Sequence, residues 1–110
     1  MDVDHTEVIF QLILHGGNAR SLAMEAIALA KNKDMSGAQK ALEQAGEELS
    51  KAHQNQTAFI QKEVSGEKTE ISMLLIHAQD HLMNAMTIKE LASEFVELYG
   101  HIHESKGAEV

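Results

Sequence analysis

Two imidazoles and a carboxylate fall within five residues of this chain, in the run His77-Ala78-Gln79-Asp80-His81-Leu82-Met83. Helical positions three and four apart are neighbours, so the spacing predicts that His77, Asp80 and His81 share one patch. Three ionisable groups side by side in an apolar segment need mutual satisfaction, a ligand or a reaction. Imidazole nitrogens ligate metals, shuttle protons and attack electrophiles near pH 7, and an aspartate adds an anionic oxygen ligand or a base. His81 alone has an ordinary reading as a hydrogen-bonded core histidine. The trio together fits that reading poorly.

The elements that must carry these residues read as three helices, with breaks near Lys31–Met35 and Val64–Lys68. Proline is absent and aromatics are 4% of residues, which favours long, uninterrupted helices with small contact faces. The first starts behind Asp4, with Glu7 completing a D-x-x-E variant of the capping box. Its contact stripe is Ile9, Leu12, Gly16, Ala19, Ala23, Ala26 and Ala30, a heptad seam that shrinks towards its C-terminal end. Gly16 and Gly17 cost about 1 kcal/mol each against alanine; close packing or a bend is expected of them rather than a helix break. The second helix is expected to begin near Ser36, where Ser36 and Gln39 match an S-x-x-Q box, and to bury Ala38, Leu42, Ala45, Leu49, Ala52, Gln56 and Phe59. In the link that follows, Gly66 suits a helix C-cap.

The third helix is expected to pack through Leu74, Ala78, His81, Ala85, Ile88, Ala92, Phe95, Tyr99 and Ile102. Beside that seam runs a second stripe, Met73, His77, Asp80, Asn84 and Thr87, too polar for a monomer core yet flanked by Ile76, Met83 and Met86. Residues 1–103 are read as the domain and 104–110 as a flexible C-terminal tail. Helices of roughly 28 to 35 residues would be about 42 to 52 Å long. Rods of that length with alanine seams offer more apolar surface than two partners can cover, so self-association is expected.

Composition narrows the function. A net charge of −8 suits neither nucleic acid nor an anionic membrane surface. With no cysteine, disulfides and thiolate metal sites are excluded. The acidic start Met1-Asp2-Val3-Asp4 is unlike a signal peptide, and apolar runs such as Met73 to Ile76 are far too short to cross a bilayer. A soluble cytoplasmic protein is expected.

Several chemistries remain open for the cluster. His-x-x-Asp-His echoes the H-x-x-E-H order of inverted zinc peptidases, but the carboxylate is a methylene shorter and no further ligand is evident on another element. A small metal-dependent hydrolase using His77, Asp80 and His81 is the alternative reading this leaves, and a non-catalytic helical assembly protein is another. Two-component histidine phosphotransfer domains place a lysine and a glycine just after the reactive histidine, where this chain has Asp80 and His81. A phosphohistidine carrier of another kind fits better, because a neutral imidazole attacks phosphorus and its phosphoramidate is a reactive donor.

The segment HAQDHLM, with Met73-Leu74-Leu75-Ile76 before it and Asn84-Ala85-Met86-Thr87 after it, strongly resembles the IIA component of the lactose/cellobiose-type phosphoenolpyruvate-dependent sugar phosphotransferase system. Gly16-Gly17-Asn18-Ala19-Arg20-Ser21 with Met24-Glu25-Ala26 resembles that family's first helix, and Leu49-Ser50-Lys51-Ala52-His53 with Gln56-Thr57 its second. The resemblance spans residues 3–102, with no departure at the matched site residues. It implies an all-α, antiparallel three-helix bundle assembling into a homotrimer. It also implies that His77 accepts a phosphoryl group from HPr and passes it to a cysteine of the cognate IIB component, during uptake of a β-linked disaccharide of the lactose, cellobiose or chitobiose class. His81, one turn on, is expected to stabilise the phosphoryl oxygens.

Asp80 is implied to sit at the threefold axis, where one Mg2+ per trimer is shared by three subunits. Two carboxylates about 4 Å apart repel by about 4 kcal/mol at an effective dielectric of 20, so a cation with oxygen ligands would relieve them. Protonation would do the same. Arg20, the only arginine, is read as a surface ion-pair partner of a nearby glutamate. His15 and His53 are read as polar-face residues, and His101 and His103, two apart, as a poor chelate. The Met73, Ile76, Met83 and Met86 group is read as core, or as an adaptable rim around His77 for two successive partners. The sugar itself is not legible, because a component that never touches it carries no residue selected for it.

Overall fold

Three long helices form, and local backbone chemistry sets their ends. A computed structural model describes residues 5–108, with side chains for 6–105. The elements are α1 (His5–Lys31), α2 (Met35–Val64) and α3 (Met73–Ala108), with no strand among the described residues. Asp4, the expected cap of α1, lies outside them. At the other end of α1, Asp34 N–H donates to Leu29 O at 2.9 Å and Lys33 N–H to Ala30 O at 3.1 Å. This is a Schellman turn, and it holds the non-glycine Lys33 at φ 69°.

The cap of α2 is Asp34, not the Ser36 box the sequence offers. Gly37 N–H donates to Asp34 Oδ1 at 2.9 Å. A carboxylate satisfies an orphan N–H and complements the positive end of the helix dipole better than a hydroxyl two residues further in. Gly37 also lacks the β-carbon that would collide with this carboxylate. α2 ends as expected in a glycine turn: Gly66 has φ 98°, and Glu67 N–H donates to Lys62 O at 3.0 Å. The link to α3 is longer than read, and Ser72 caps α3 by accepting Leu75 N–H at 3.1 Å. α3 continues through Ala108, past the boundary at residue 103 where a tail was expected. Before that end, at His103, α3 is tied to α1: Nε2–H donates to Ala30 O at 2.7 Å, and the ring stacks on Tyr99. Glu109 and Val110 lie outside the described residues.

The bundle is a rod of 66 × 20 × 20 Å. One core cluster joins Ile9 and Leu12 with Ala52, Phe59, Ala78 and Leu82, and another joins Ala23, Ala26 and Ala30 with Ala38, Ala41, Leu42, Ala92 and Val96. Helix α2 therefore runs antiparallel to α1, and α3 parallel to it. The α1 seam is buried as read from the sequence. In α2, Leu49 and Gln56 are only half-buried. The α3 seam needs a larger correction: the buried line is Ala78, Leu82, Ala85, Ala92 and Val96, whereas Phe95 and Ile102 are 45% and 37% exposed. The cause lies in α1. A β-carbon on Gly16 would sit 3.6 Å from Leu82 Cα, so the missing side chain lets the Leu82 edge of α3 approach most closely. Alanines fill most of the remaining core, leaving Leu12, Leu82 and Val96 as the largest fully buried side chains.

Among the described residues no helix is long and apolar enough to cross a membrane.

Candidate functional site

His77 projects from the exposed side of α3, one turn before the point where α3 meets the glycine pair of α1. Its ring stacks with that of His81, centroids 6.0 Å apart and planes inclined by 22°. His77 is exposed and His81 half-buried. The second ring is held by Gly16 and Gly17: β-carbons built there would lie 3.3 Å from His81 Cδ2 and 3.3 Å from His81 Nε2 respectively. One edge of the imidazole thus rests on bare helix backbone. This gives the glycines a more specific role than the close packing or bend read from the sequence, and no local signal marks it, because the ring they meet lies on another helix.

Asp80 does not join the pair. It lies on the far side of α3 and lines a groove towards α2 with Phe59, Ile60, Ile76, Gln79 and Met83. Gln56 Nε2 donates to Gln79 Oε1 across that side at 2.6 Å. Helical spacing made the three side chains neighbours, but packing hands His81 to α1 and turns Asp80 outward. No three His, Cys, Asp or Glu side chains among the described residues are arranged to hold a metal ion within the chain. The hydrolase reading therefore loses its ligand set.

The remaining candidates fall outside this centre. Arg20 is exposed and makes no ion pair among the described residues, contrary to the expected pairing with a glutamate. His15 is not a free polar-face residue: its Nδ1–H donates to Glu48 Oε2 at 2.5 Å, joining α1 to α2 with both side chains largely shielded. That hydrogen bond holds the Glu48 carboxyl below the usual carboxylate range, with the charges of His15 and Lys51 and a bond from Asn18 adding to it and partial burial opposing it. His53 is exposed, and His101 faces Glu97 and Glu104 at 3.9 and 4.0 Å on the surface, away from His103. Of the methionine group only Met86 packs on the core; Met73, Ile76 and Met83 are exposed.

Fold and site define an all-α bundle organised around one accessible histidine and a second ring that supports it. The family model of the lactose/cellobiose-specific IIA subunit of the phosphotransferase system matches residues 7–100. The chain is 58% identical over 110 residues to the lichenan-specific phosphotransferase enzyme IIA component of Bacillus subtilis, covering all of both. It superposes on the crystal structure of the cellobiose-specific enzyme IIA from Bacillus anthracis with a TM-score of 0.90 and 55% identity, over 94% of this chain and 95% of that one. The IIA(Chitobiose) solution structure in complex with HPr, from the N,N'-diacetylchitobiose branch of the Escherichia coli system, gives a TM-score of 0.77 at 36% identity, over 93% and 99%. The chain belongs to the lactose/cellobiose-specific IIA family. It is a phosphotransferase component of a sugar transport system.

Proposed function

We propose that this protein carries a phosphoryl group on His77. The observation that carries the reading is the site itself: one exposed imidazole on a rigid helix, stacked against a second imidazole anchored on α1. A ring nitrogen lone pair of neutral His77 attacks the phosphorus of phosphohistidine on HPr. The new N–P bond forms as the donor N–P bond breaks, and the departing electron pair returns to the donor imidazole. In the second half-reaction a thiolate of the IIB component attacks phosphorus and the His77 N–P bond breaks in turn. Little covalent chemistry is required of the protein beyond positioning and charge stabilisation. His81 serves the latter by donating a hydrogen bond to a phosphoryl oxygen.

Two further parts of the reading rest on the outer face of α3. Ile76, Met83, Leu91 and Leu98 leave about half their surface exposed along one side of that helix, which supports burial against further copies, here a homotrimer. Asp80 lies on the same side. Within one chain Glu63 lines the same groove, but the described residues bring no third ligand to it, so a divalent cation such as Mg2+ fits best as a ligand of symmetry-related Asp80 side chains, where it would neutralise charge and take no part in transfer. The relatives, named for lichenan, cellobiose and N,N'-diacetylchitobiose, support a β-linked sugar of that class as the cargo, and HPr and a cognate IIB as partners in the cytoplasm.

Incubation with phosphoenolpyruvate, Enzyme I and HPr tests the reading. Mass spectrometry should find one phosphate per chain, on His77 and lost in acid. An unlabelled chain, or a label on another side chain, would refute it.

A further inference from the structure

Gly16 and Gly17 touch different edges of the same ring. The vacant β-position of Gly16 faces carbon, 3.3 Å from His81 Cδ2, and also the backbone of Leu82. The vacant β-position of Gly17 faces nitrogen, 3.3 Å from His81 Nε2, and meets nothing else within 4 Å. A methyl there would crowd the side of the nitrogen from which an oxygen, at about 2.7–3.2 Å, would accept its hydrogen bond. The notch is open at the surface, because Gly17 and His81 are both half-buried and His77 beside them is exposed. A ring nitrogen facing bare backbone keeps a free hydrogen-bonding direction that any side chain at residue 17 would obstruct.

We propose that Gly17 is a positioning residue for phosphoryl transfer: lacking a β-carbon, it keeps clear the space beside His81 Nε2 in which an oxygen of the phosphoryl group on His77 is held. This deepens the phosphocarrier reading and rests on it. Gly16 has a separate task, the close approach of α1 and α3. The two glycines therefore differ in consequence although a β-carbon at either would lie equally near the ring. At Gly17 an added methyl leaves the fold intact, since alanine is the better helix former, yet at 3.3 Å from Nε2 it crowds the approach of an oxygen to that nitrogen.

The test compares Gly17→Ala, Gly16→Ala, His81→Ala and the Gly17→Ala/His81→Ala double variant in phosphoryl transfer from phosphorylated HPr, with 31P NMR of the phosphorylated proteins and thermal unfolding of all. Gly17→Ala is expected to keep or raise its unfolding midpoint while transferring about tenfold more slowly and moving the 31P resonance towards that of His81→Ala. Adding Gly17→Ala to His81→Ala should cost nothing more, because the donor it obstructs is already gone. Gly16→Ala, the packing control, should leave the 31P resonance at the wild-type position, since it leaves Nε2 open, and any slowing it shows should accompany a lower unfolding midpoint. A wild-type rate and 31P shift for Gly17→Ala would overturn the proposal, as would an additional tenfold loss in the double variant or an equal 31P change in the two glycine variants. If wild-type His77 takes up no phosphate at all, the phosphocarrier reading falls and this proposal falls with it.

Discussion

Truncating His81 to alanine separates the chemistry of the site from its architecture. The ring is half-buried, stacked on His77 and seated on α1 through two glycines. A hydrogen bond to a charged group contributes about 1.5–3 kcal/mol. Because the ring keeps some contact with water, the lower half of that range applies, about 1.5–2 kcal/mol. At about 1.4 kcal/mol per factor of ten, transfer should slow by about 10- to 30-fold. The loss should appear in kcat, with KM for phosphorylated HPr little changed, because the bond is made to the moving group rather than to the partner's surface. Rapid-quench transfer of 32P from HPr measures both. His77→Gln provides the limit of complete loss, and His81→Gln, which retains a donor of different reach, should fall between. An unaltered kcat in His81→Ala would refute the reasoning; a raised KM at constant kcat would show that the ring serves docking instead.

Three other outcomes follow from the same geometry. Lys33→Gly should stabilise the protein by up to about 1 kcal/mol, because Lys33 occupies the left-handed region in the α1 turn; a higher midpoint in calorimetry checks it, and a lower one would mean the strain is absent. Glu48 is held below its usual pKa by His15, so its contribution to stability is complete above the unfolded carboxylate pKa and disappears as pH falls through the depressed folded value. Glu48→Gln should therefore lower stability at neutral pH, by about 1 kcal/mol for a partly exposed charge-assisted bond, and flatten the acid limb of a stability–pH curve; an unchanged acid limb would remove the pair from the account. On the proposed axial placement, Asp80→Leu should keep or strengthen the oligomer in chelator, read by sedimentation, because apolar surface would replace carboxylates that face one another. Dissociation of that variant to monomers would count against the axial placement of Asp80.

What could be read from the sequence depended on how far each determinant lay along the chain. The α1 stripe from Ile9 to Ala30 was legible because it is the one small-residue line on that helix, and the Gly66 turn because only local backbone geometry is involved. On α3 two adjacent lines were both apolar, one through His81 and Phe95, the other through Leu82 and Val96. Periodicity cannot choose between them. The choice was made by Gly16 on another helix, against which Leu82 packs. The second cap failed differently: the Ser36–Gln39 box is a real motif, but Asp34 lies ahead of it and reaches Gly37 first. The pairing of His15 with Glu48, on another helix, left no local trace at all.

The same dependence explains why three residues that the spacing groups together divide into a stacked pair of rings and a separate carboxylate. Residues 77, 80 and 81 are neighbours on the helix surface, yet a bundle divides that surface among its partners. His81 falls on the α1 side and is immobilised. His77 falls at the edge and stays accessible. Asp80 falls beyond it, in line with Ile76 and Met83. Each boundary between roles is a matter of one residue, or about 100° of rotation on the helix. A one-residue change in the packing register of α3 would therefore bury His77 or expose His81, so the close contact of Gly16 with Leu82 fixes which face of α3 carries the accessible ring.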